Sequence, residues 1–424
     1  MKTRTIICAL AAVALIMQGC TREPRPTQAQ LEWQEMEMNM FCHFGPNTFS
    51  GEEWGSGQEA EDLFCPTDLD CRQWAATAKA AGFKGIIITA KHHDGFCLWP
   101  NPESTHTVAQ SKWKDGKGDV LAELSEACKE YGIKFGVYIS PWDRNDPRYG
   151  TPDYNDAFAR TLEDVHSGRY GTIFEQWFDG ACGEGPDGKR QKYDWPLFRG
   201  TVRRLQPQAI MFSDVGPDCR WVGNEKGKAG ETCWSTLSPE GFEPGGASPA
   251  QDTLTMGNVH GTHWIPAEAD VSIRPGWFWK ESETPYIKSV DALMDIYFGS
   301  VGRNAVLLLN VPPDTRGRIP EADSIRLMEF KAARDAIFSH EADSRFNVVC
   351  LQEDISKGQR VAEFAVDALV EGEWKEIAHG TTIGYKRLLK VDETNSTKVR
   401  VRVLKSYGKP RVAKPKLYWS SLEP

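Results

Sequence analysis

The sequence predicts an α/β fold, in which a (β/α)8-like barrel is followed by a small C-terminal antiparallel β-sandwich. From Met38 to about Phe338, short apolar runs alternate with amphipathic helical stretches, which is typical of βα units on a parallel sheet. The number of such units in one domain favours a closed barrel over an open sheet. After about Asn347 the helical pattern stops, and apolar and polar residues alternate as they do in antiparallel strands.

The barrel units can be placed in order along the chain. The stretch 83–90 is rich in β-branched residues, which favour strands. Gly82 and Gly132 each follow a helical pattern, and we expect each glycine to terminate its helix. The sixth and seventh strands are poorly marked, because a loop-rich stretch occupies the chain from about 214 to 289. We predict strands at 38–44, 83–90, 133–139, 172–178, 209–213 and 305–310, and helices at 69–81, 120–131, 154–166, 197–205, 290–301 and 321–338.

The C-terminal part is predicted to be a separate small domain. Short alternating runs at 360–367, 385–391, 398–404 and 416–419 are separated by turns such as Glu371-Gly372, and they predict antiparallel strands. No run of Pro, Gly or charge marks a flexible linker before it, so the two domains are expected to pack together. We assign 20–340 to the barrel and 345–424 to the sandwich.

The N-terminus has the pattern of an export signal. Lys2 and Arg4 precede a short apolar run at 6–17, which has the length of a signal peptide and is too short to span a membrane. The segment Met17-Gln18-Gly19-Cys20 resembles a bacterial lipoprotein cleavage box, although an ordinary cleavage site near a chance cysteine is the alternative. We therefore expect removal of 1–19, a lipid anchor on Cys20, and export to the periplasm or the cell surface.

Composition favours some partners and excludes others. The formal net charge is −9, which argues against nucleic acid as a partner. The chain has 15 Trp and 19 Phe, and flat aromatic faces can stack on sugar rings, so the composition favours a carbohydrate ligand. Once Cys8 and Cys20 are set aside, the cysteines show no CxxC pair, and the sequence leaves open whether Cys65 and Cys71 are bonded.

Polar residues stand at the carboxyl ends of the predicted barrel strands, where the loops of a parallel barrel converge and functional side chains gather. They are His43 after the first strand, His92, His93 and Asp94 after the second, Tyr138 and Trp142 at the third, and Trp177 and Asp179 at the fourth. This coincidence of position and chemistry predicts a functional site at that end of the barrel.

Two of these features have more than one interpretation. Asp179 could attack an anomeric carbon or stabilise an oxocarbenium ion, and it could equally cap a turn, since Asp before Gly is common in turns. His92 and His93, with His43, could bind a metal, but neighbouring residues of a strand point to opposite faces and chelate poorly. Neutral imidazoles that bind sugar hydroxyls explain the pair as well, and we expect no metal.

Eight short segments, in a fixed order along the barrel, carry a family resemblance. They are His43-Phe44-Gly45, Glu53-Trp54, and the residues at 91–96, 177–180, 220–225, 230–234, 265–268 and 304–312. In these segments the chain resembles the α-L-fucosidases of glycoside hydrolase family 29. The resemblance covers the barrel nearly end to end, and the sandwich resembles the C-terminal β domain of the family.

The resemblance implies a retaining mechanism with a covalent fucosyl-enzyme intermediate. The Asp of the family's Trp-x-Asp-Gly motif is the nucleophile, and that position is Asp179. In the branch with a Trp-Val-Gly-Asn-Glu segment the final Glu is the general acid/base, and that position is Glu225. Glu231 and Glu268 are rival candidates. Glu231 could instead shape its loop, and Glu268 could orient the substrate or pair with Arg274.

The implied ligands are fucosylated oligosaccharides, with fucose linked α-1,3 or α-1,4 on a branched glycan, and no cofactor is implied. Two other functions stay open. One is a catalytically silent glycan-binding lipoprotein, although two carboxylates at different loop positions argue against it. The other is a different retaining exo-glycosidase, because a fold does not determine its substrate. The implied sugar pocket consists of His43, Glu53, Trp54, His92, His93, Tyr138 and Trp177, with Trp277 or Phe278 against the C5 methyl group.

Overall fold

Eight parallel strands close a barrel in the computed structural model of the chain, which describes residues 23–245, 249 and 251–421. The expected signal peptide at 1–19 and the expected lipidation site Cys20 lie outside these residues. In chain order the first ten strands are β1 (Met38–Cys42), β2 (Gly85–Lys91), β3 (Lys134–Ile139), β4 (Ile173–Trp177), β5 (Ile210–Ser213), β6 (Cys219–Trp221), β7 (Thr236–Leu237), β8 (His263–Trp264), β9 (Ala267–Ser272) and β10 (Val306–Asn310).

The order of strands around the barrel is β1-β10-β9-β6-β5-β4-β3-β2, while β7 and β8 form a separate antiparallel pair. Helices connect the strands and cover the barrel from outside, so β1, β2, β4, β5 and β10 are buried along their whole length. The helices are α1 (Gln28–Met36), α2 (Pro46–Ser50), α3 (Cys71–Ala81), α4 (Val120–Tyr131), α5 (Pro152–His166), α6 (Trp195–Leu205), α7 (Gln251–Met256), α8 (Val290–Gly299) and α9 (Glu321–Phe338).

The fold class predicted from the sequence is confirmed. The helices α4 and α9 have the predicted bounds, and α4 shows why: the Asp119 side chain accepts a hydrogen bond from the Ala122 N–H at its start, and Gly132 ends it with a φ of 68°. The helix α1 was not predicted. Its residue Trp33 is buried inside one end of the barrel. The poorly marked strands are β6, with only three residues, and β9, whose inward positions are acidic.

The C-terminal domain consists of two three-stranded antiparallel sheets, with strand orders β14-β11-β16 and β13-β12-β15. Apolar residues of both sheets, such as Phe346 and Phe364, form one core between them. Four of its strands lie where the sequence predicts strands, while β11 and β13 were missed. The strands are β11 (Arg345–Leu351), β12 (Val361–Val370), β13 (Glu373–Gly380), β14 (Arg387–Asn395), β15 (Val399–Ser406) and β16 (Lys416–Tyr418).

Polar contacts join the sandwich to the barrel. Glu231, on a barrel loop, forms ion pairs with Arg303 of the barrel and with Arg387 at the start of β14. Asn304 Oδ1 accepts a hydrogen bond from the Tyr385 backbone N–H at 2.7 Å. Within the described part of the chain, no helix is both long enough and apolar enough to cross a membrane. Cys65 is exposed, Cys71 is buried, and both are free thiols.

Candidate active site

The polar residues predicted at the strand ends come together at one end of the barrel. His43 directly follows β1, and His92 and His93 directly follow β2. The rings of His43 and His92 are 5.8 Å apart, and those of His92 and His93 are 4.2 Å apart. Tyr138, near the end of β3, stacks on His92 at 5.6 Å. Asp179 follows β4 by two residues and completes the cluster.

Both oxygens of the Asp179 carboxylate accept hydrogen bonds. Tyr138 Oη donates a hydrogen bond to Oδ2 at 3.0 Å, and His93 Nε2 lies 3.7 Å from the same oxygen. The Ala181 backbone N–H donates to Oδ1 at 2.7 Å, so Asp179 also caps its own turn. A quarter of the side chain, 25%, remains exposed. The two interpretations of Asp179 are therefore compatible, because the turn orients the carboxylate that faces the cluster.

Burial keeps the histidines of the cluster neutral. Removal from water lowers the pKa of His43 to about 3, and a hydrogen bond from its ring only partly opposes this effect. Removal from water also lowers the pKa of His93 to about 4, although the charge of Asp179 acts in the opposite direction. The pKa of His92 is lowered well below its usual value by burial first and then by its ionisable neighbours His93, His43 and Lys91. Near pH 7 all three are neutral imidazoles.

The hydrogen bonds of two of these histidines define which nitrogen carries the proton. Ser140 Oγ donates to the Trp142 carbonyl oxygen at 2.9 Å, so His93 Nδ1 is the donor in its 2.8 Å contact with Ser140 Oγ. His43 Nδ1 donates to the amide oxygen of Asn310 at 2.9 Å. Each ring therefore keeps Nε2 as an acceptor, which suits a sugar hydroxyl. Among the residues that the structure describes, the only set close enough to chelate a metal is Glu175, Cys219 and Glu268.

Aromatic side chains form the walls around the cluster. Trp177 stacks on Tyr138 at 5.3 Å and on Phe212 at 3.9 Å. Trp277 lies 5.0 Å from the His43 ring. Trp54 is 59% exposed and contacts the His93 ring edge-on at 6.0 Å. These are apolar surfaces of the kind that a deoxy sugar can contact, next to hydrogen-bonding groups.

The short Glu53-Trp54 loop also reaches this site. Glu53 Oε2 accepts a hydrogen bond from the Trp277 backbone N–H at 2.9 Å, and Lys280 Nζ lies 2.9 Å from Oε1. Phe278, the other residue considered for the methyl group, is buried at 5.3 Å from the His43 ring and 5.1 Å from the His92 ring. The structure thus brings together every residue of the implied sugar pocket.

The three candidate proton donors have different surroundings. Glu225 is exposed in the loop after β6. Its pKa is raised by partial desolvation and by the charges of Asp179 and Glu53, although a hydrogen bond with Trp277 lowers it. Glu231 instead forms the ion pairs with Arg303 and Arg387 described above. Of the three, only Glu225 combines access to solvent with the electrostatic influence of Asp179.

The third candidate, Glu268, is fully buried in the barrel, where Trp177 Nε1 donates to its Oε2 at 2.9 Å. The pairing of Glu268 with Arg274 that the sequence left open is wrong, because Arg274 is buried against Asp323 at 2.6 Å. Removal from water and the neighbouring Glu175 raise the pKa of Glu268 well above its usual value.

Sequence reasoning missed two acidic residues of this region. Asp270 is 5% exposed on β9, and burial and then the charge of Glu225 raise its pKa to about 8. Asp143 pairs at 3.0 Å with Lys91, the last residue of β2 before His92. The alternation in the segment Ala-Glu-Ala-Asp-Val-Ser of β9 is the one signal that could have revealed inward-facing acids.

Comparison with known proteins agrees with this geometry. Residues 19–332 match the family model described as alpha-L-fucosidase. The chain is 40% identical over 438 residues to alpha-L-fucosidase 1 of Arabidopsis thaliana, covering 90% of this chain and 85% of that protein. The chain belongs to the α-L-fucosidase family. The fucosidase is therefore a glycoside hydrolase, and its substrates contain fucose.

Solved structures extend the likeness of this fucosidase to the sandwich. A glycoside hydrolase 29 family member from an unknown rumen bacterium is 40% identical, with a TM-score of 0.88 over 95% of this chain and 78% of that one. A family 29 fucosidase of Ruminococcus gnavus, solved in complex with fucose, is 31% identical, with a TM-score of 0.85 over 94% and 95% of the two chains.

Proposed function

We propose that this fucosidase is a retaining exo-enzyme that removes terminal α-1,3- or α-1,4-linked fucose from branched glycans, with Asp179 as nucleophile and Glu225 as general acid/base. The observation that carries the mechanism is the placement of these two carboxyls at one end of the barrel, close enough to influence each other electrostatically. Asp179 is oriented by Tyr138, and its charge contributes to the raised pKa of Glu225. A nucleophile that is ionised beside an acid that stays protonated is what the first step requires.

The reaction then proceeds in two displacements. In the first, an Asp179 oxygen bonds to the anomeric carbon while the bond to the glycosidic oxygen breaks, and the proton of Glu225 passes to that oxygen. In the second, Glu225 accepts a proton from water as the water oxygen attacks the anomeric carbon. The ester to Asp179 breaks, fucose leaves with its configuration retained, and Glu225 is protonated again.

The nucleophile can be tested by removal and chemical rescue. Asp179→Gly should lose nearly all turnover, and azide should restore part of it by occupying the vacated space and attacking the anomeric carbon. The product formed with azide would be a fucosyl azide of inverted configuration. If Asp179→Gly keeps more than a small fraction of the wild-type rate, Asp179 is not the nucleophile.

The proton donor can be tested by leaving-group dependence, because a general acid matters only where the leaving group needs a proton. Glu225→Gln should slow a Lewis trisaccharide by about 10²–10⁴-fold in kcat/KM while nearly sparing fucosyl fluoride. Glu231→Gln and Glu268→Gln are the matched comparisons. If either of them shows this selectivity and Glu225→Gln slows both substrates alike, the donor is elsewhere.

The linkage preference rests on the Trp-Val-Gly-Asn-Glu segment at 221–225, which resembles the branch that acts on Lewis-type glycans. We expect Lewis trisaccharides to be cleaved much faster than 2′-fucosyllactose, and equal rates would contradict the preference. Release of fucose from a Lewis trisaccharide also separates hydrolysis from silent binding. An aryl galactoside hydrolysed faster than the aryl fucoside would instead indicate another exo-glycosidase.

The lipid anchor rests on the box that ends at Cys20. We propose that the fucosidase is exported and held on a bacterial membrane through a lipid on this cysteine, at the periplasmic or the outer face. Cys20→Ser should move the protein from the membrane fraction to the soluble fraction and abolish labelling by a fatty-acid probe. Unchanged fractionation and labelling would refute the anchor.

A further inference from the structure

Strand β9 presents two buried acids to the inside of the barrel. Its outward residues Ala267 and Ala269 pack in an apolar cluster, while Glu268 and Asp270 alternate with them and are 0% and 5% exposed. Each of the two acids accepts a hydrogen bond from an indole. Trp177 Nε1 donates to Glu268 Oε2, and Trp221 Nε1 donates to Asp270 Oδ1, both at 2.9 Å.

The first of these indoles belongs to the nucleophile side of the site. Trp177 is the last residue of β4 and precedes Asp179 by two positions. Its ring stacks on Tyr138, whose hydroxyl donates to Asp179. A hydrogen bond that fixes the plane of this ring therefore also restricts Tyr138 and the carboxylate that Tyr138 orients.

The second indole belongs to the acid/base side. Trp221 is the last residue of β6 and precedes Glu225 by four positions, so it stands where the loop that carries Glu225 leaves the barrel. Glu225 and Asp270 are also close enough for the charge of Glu225 to raise the pKa of Asp270. Fixing Trp221 therefore restricts the start of that loop.

Burial raises the pKa of both acids and so favours the neutral carboxyl group, one oxygen of which accepts the indole N–H. Placing such groups in a barrel interior costs stability, and an apolar side chain of similar volume would usually pack at least as well. Glu175 lies beside Glu268, and Trp33 Nε1 donates to its Oε2 at 2.8 Å, so the acids occupy a polar layer in an otherwise apolar core.

We propose that Glu268 and Asp270 are positioning residues for the two halves of the reaction: Glu268 fixes Trp177 and through it the nucleophile, and Asp270 fixes Trp221 and through it the loop of the acid/base. The inference rests on the roles proposed above for Asp179 and Glu225. It predicts that loss of the two acids has different kinetic signatures, although they stand two residues apart on one strand.

The test measures kcat/KM, which reports the steps up to formation of the fucosyl-enzyme, for a Lewis trisaccharide and for fucosyl fluoride. Asp270→Leu should lower the trisaccharide value by about 10–100-fold and change the fluoride value by less than about threefold, because fluoride needs little help from the acid. Glu268→Leu should lower both values by a similar factor of about 10 or more, because both substrates need the nucleophile.

Conservative variants separate positioning from general loss of structure. Glu268→Gln and Asp270→Asn keep an oxygen that accepts the indole N–H and copy the neutral state, so both should stay within about threefold of wild type. If a leucine variant does not fold, Trp177→Phe and Trp221→Phe can replace it, because each removes the indole N–H but keeps a ring. Trp177→Phe should then lower both values, and Trp221→Phe should lower mainly the trisaccharide value. Glu353→Gln, at a buried acid of the sandwich with a pKa raised to about 7, should leave both values unchanged.

Asp179→Gly and Glu225→Gln, measured in the same assays, separate a failure of the proposed catalytic roles from a failure of the positioning roles. If Glu225→Gln lacks leaving-group selectivity, the proposed acid/base role of Glu225, on which the role of Asp270 rests, is wrong. If Glu225→Gln shows it and Asp270→Leu slows both substrates equally, the positioning role of Asp270 is wrong. If Glu268→Leu slows only the trisaccharide, the positioning role of Glu268 is refuted. If the amide variants are as slow as the leucine variants, the role of the two indole hydrogen bonds is refuted.

Discussion

Gly95, in the turn that carries His92 and His93, is a position where one added methyl group should disturb the site directly. Its φ is 87°, a left-handed conformation that an L side chain rarely adopts. A Cβ placed there would overlap Asp143 Oδ1 and lie 3.0 Å from Asn145 Cβ. Asp143 cannot rotate away, because Oδ1 accepts the backbone N–H groups of Asn145 at 2.9 Å and Asp146 at 2.7 Å.

The magnitude for Gly95→Ala follows from two contributions. The left-handed backbone costs about 1–2 kcal/mol for a residue with a Cβ, and overpacking of a site that cannot relax costs about 1–3 kcal/mol more. Gly132→Ala is the matched control, since its φ is 68° but nothing lies within 4 Å of the added Cβ. It should show only the backbone cost. The difference between the two variants in urea-unfolding free energy should therefore be about 1–3 kcal/mol.

Activity should separate the two variants further. A displacement of about 1 Å in the turn would move His92 and His93 relative to the sugar, and misplacement of this size can cost about 10²-fold in rate. Gly95→Ala should therefore lose about 10–100-fold in kcat/KM on a Lewis trisaccharide, and Gly132→Ala should keep the wild-type value. Equal losses of stability in the two variants, or a wild-type rate for Gly95→Ala, would refute the steric argument.

Three further predictions concern charge and metal. Because the folded-state pKa of His93 is about 4, its contribution to stability is present above pH 6.5 and is lost as pH falls towards 4. Between pH 7 and pH 5, the free energy of unfolding in urea should therefore fall by about 1–2 kcal/mol less for His93→Asn than for wild type. The same pH dependence in both proteins would contradict this. Glu231→Gln leaves the buried Arg387 without its carboxylate, so the free energy of unfolding should fall by about 1–3 kcal/mol. The variant should slow substrates with good and poor leaving groups alike, and selectivity for the leaving group would reassign Glu231 to catalysis. Dialysis against a chelator should leave the rate unchanged, whereas a stoichiometric metal whose removal abolishes activity would overturn the neutral-histidine interpretation.

Much of the barrel could be predicted because its signals are local. Helices such as α4 combine a capping Asp, an apolar stripe and a terminal glycine within about a dozen residues, so their bounds can be located from the sequence. Strands buried on both faces, such as β2 and β10, form continuous apolar runs. Polar residues that interrupt such runs at their carboxyl ends, such as His92, stand out for the same reason.

The remaining elements lack those local signals. The strand β6 has three residues, one of which is the buried Arg220, whose guanidinium donates to the backbone carbonyl oxygens of Leu254 and Trp234. The inward positions of β9 are acidic, so its hydrophobicity alternates between alanine and carboxylate. In the sandwich, β13 is exposed along most of its length and has no clear apolar face. Pairing with neighbouring strands stabilises them instead: β6 lies between β5 and β9, β9 between β6 and β10, and β13 beside β12.

The sequence by itself determined the fold class, the strand ends at which chemistry collects and, through its motifs, the family. Only the tertiary structure shows how the surroundings of the three acids differ. Glu231 is bound by Arg387, 156 residues away, and Glu268 by the indole of Trp177, 91 residues away. Glu225 remains near the charge of Asp179. The protonation state and role of a carboxyl group depend on its burial and on the charges and donors around it in space, and contacts over such distances along the chain leave no periodic pattern in the sequence.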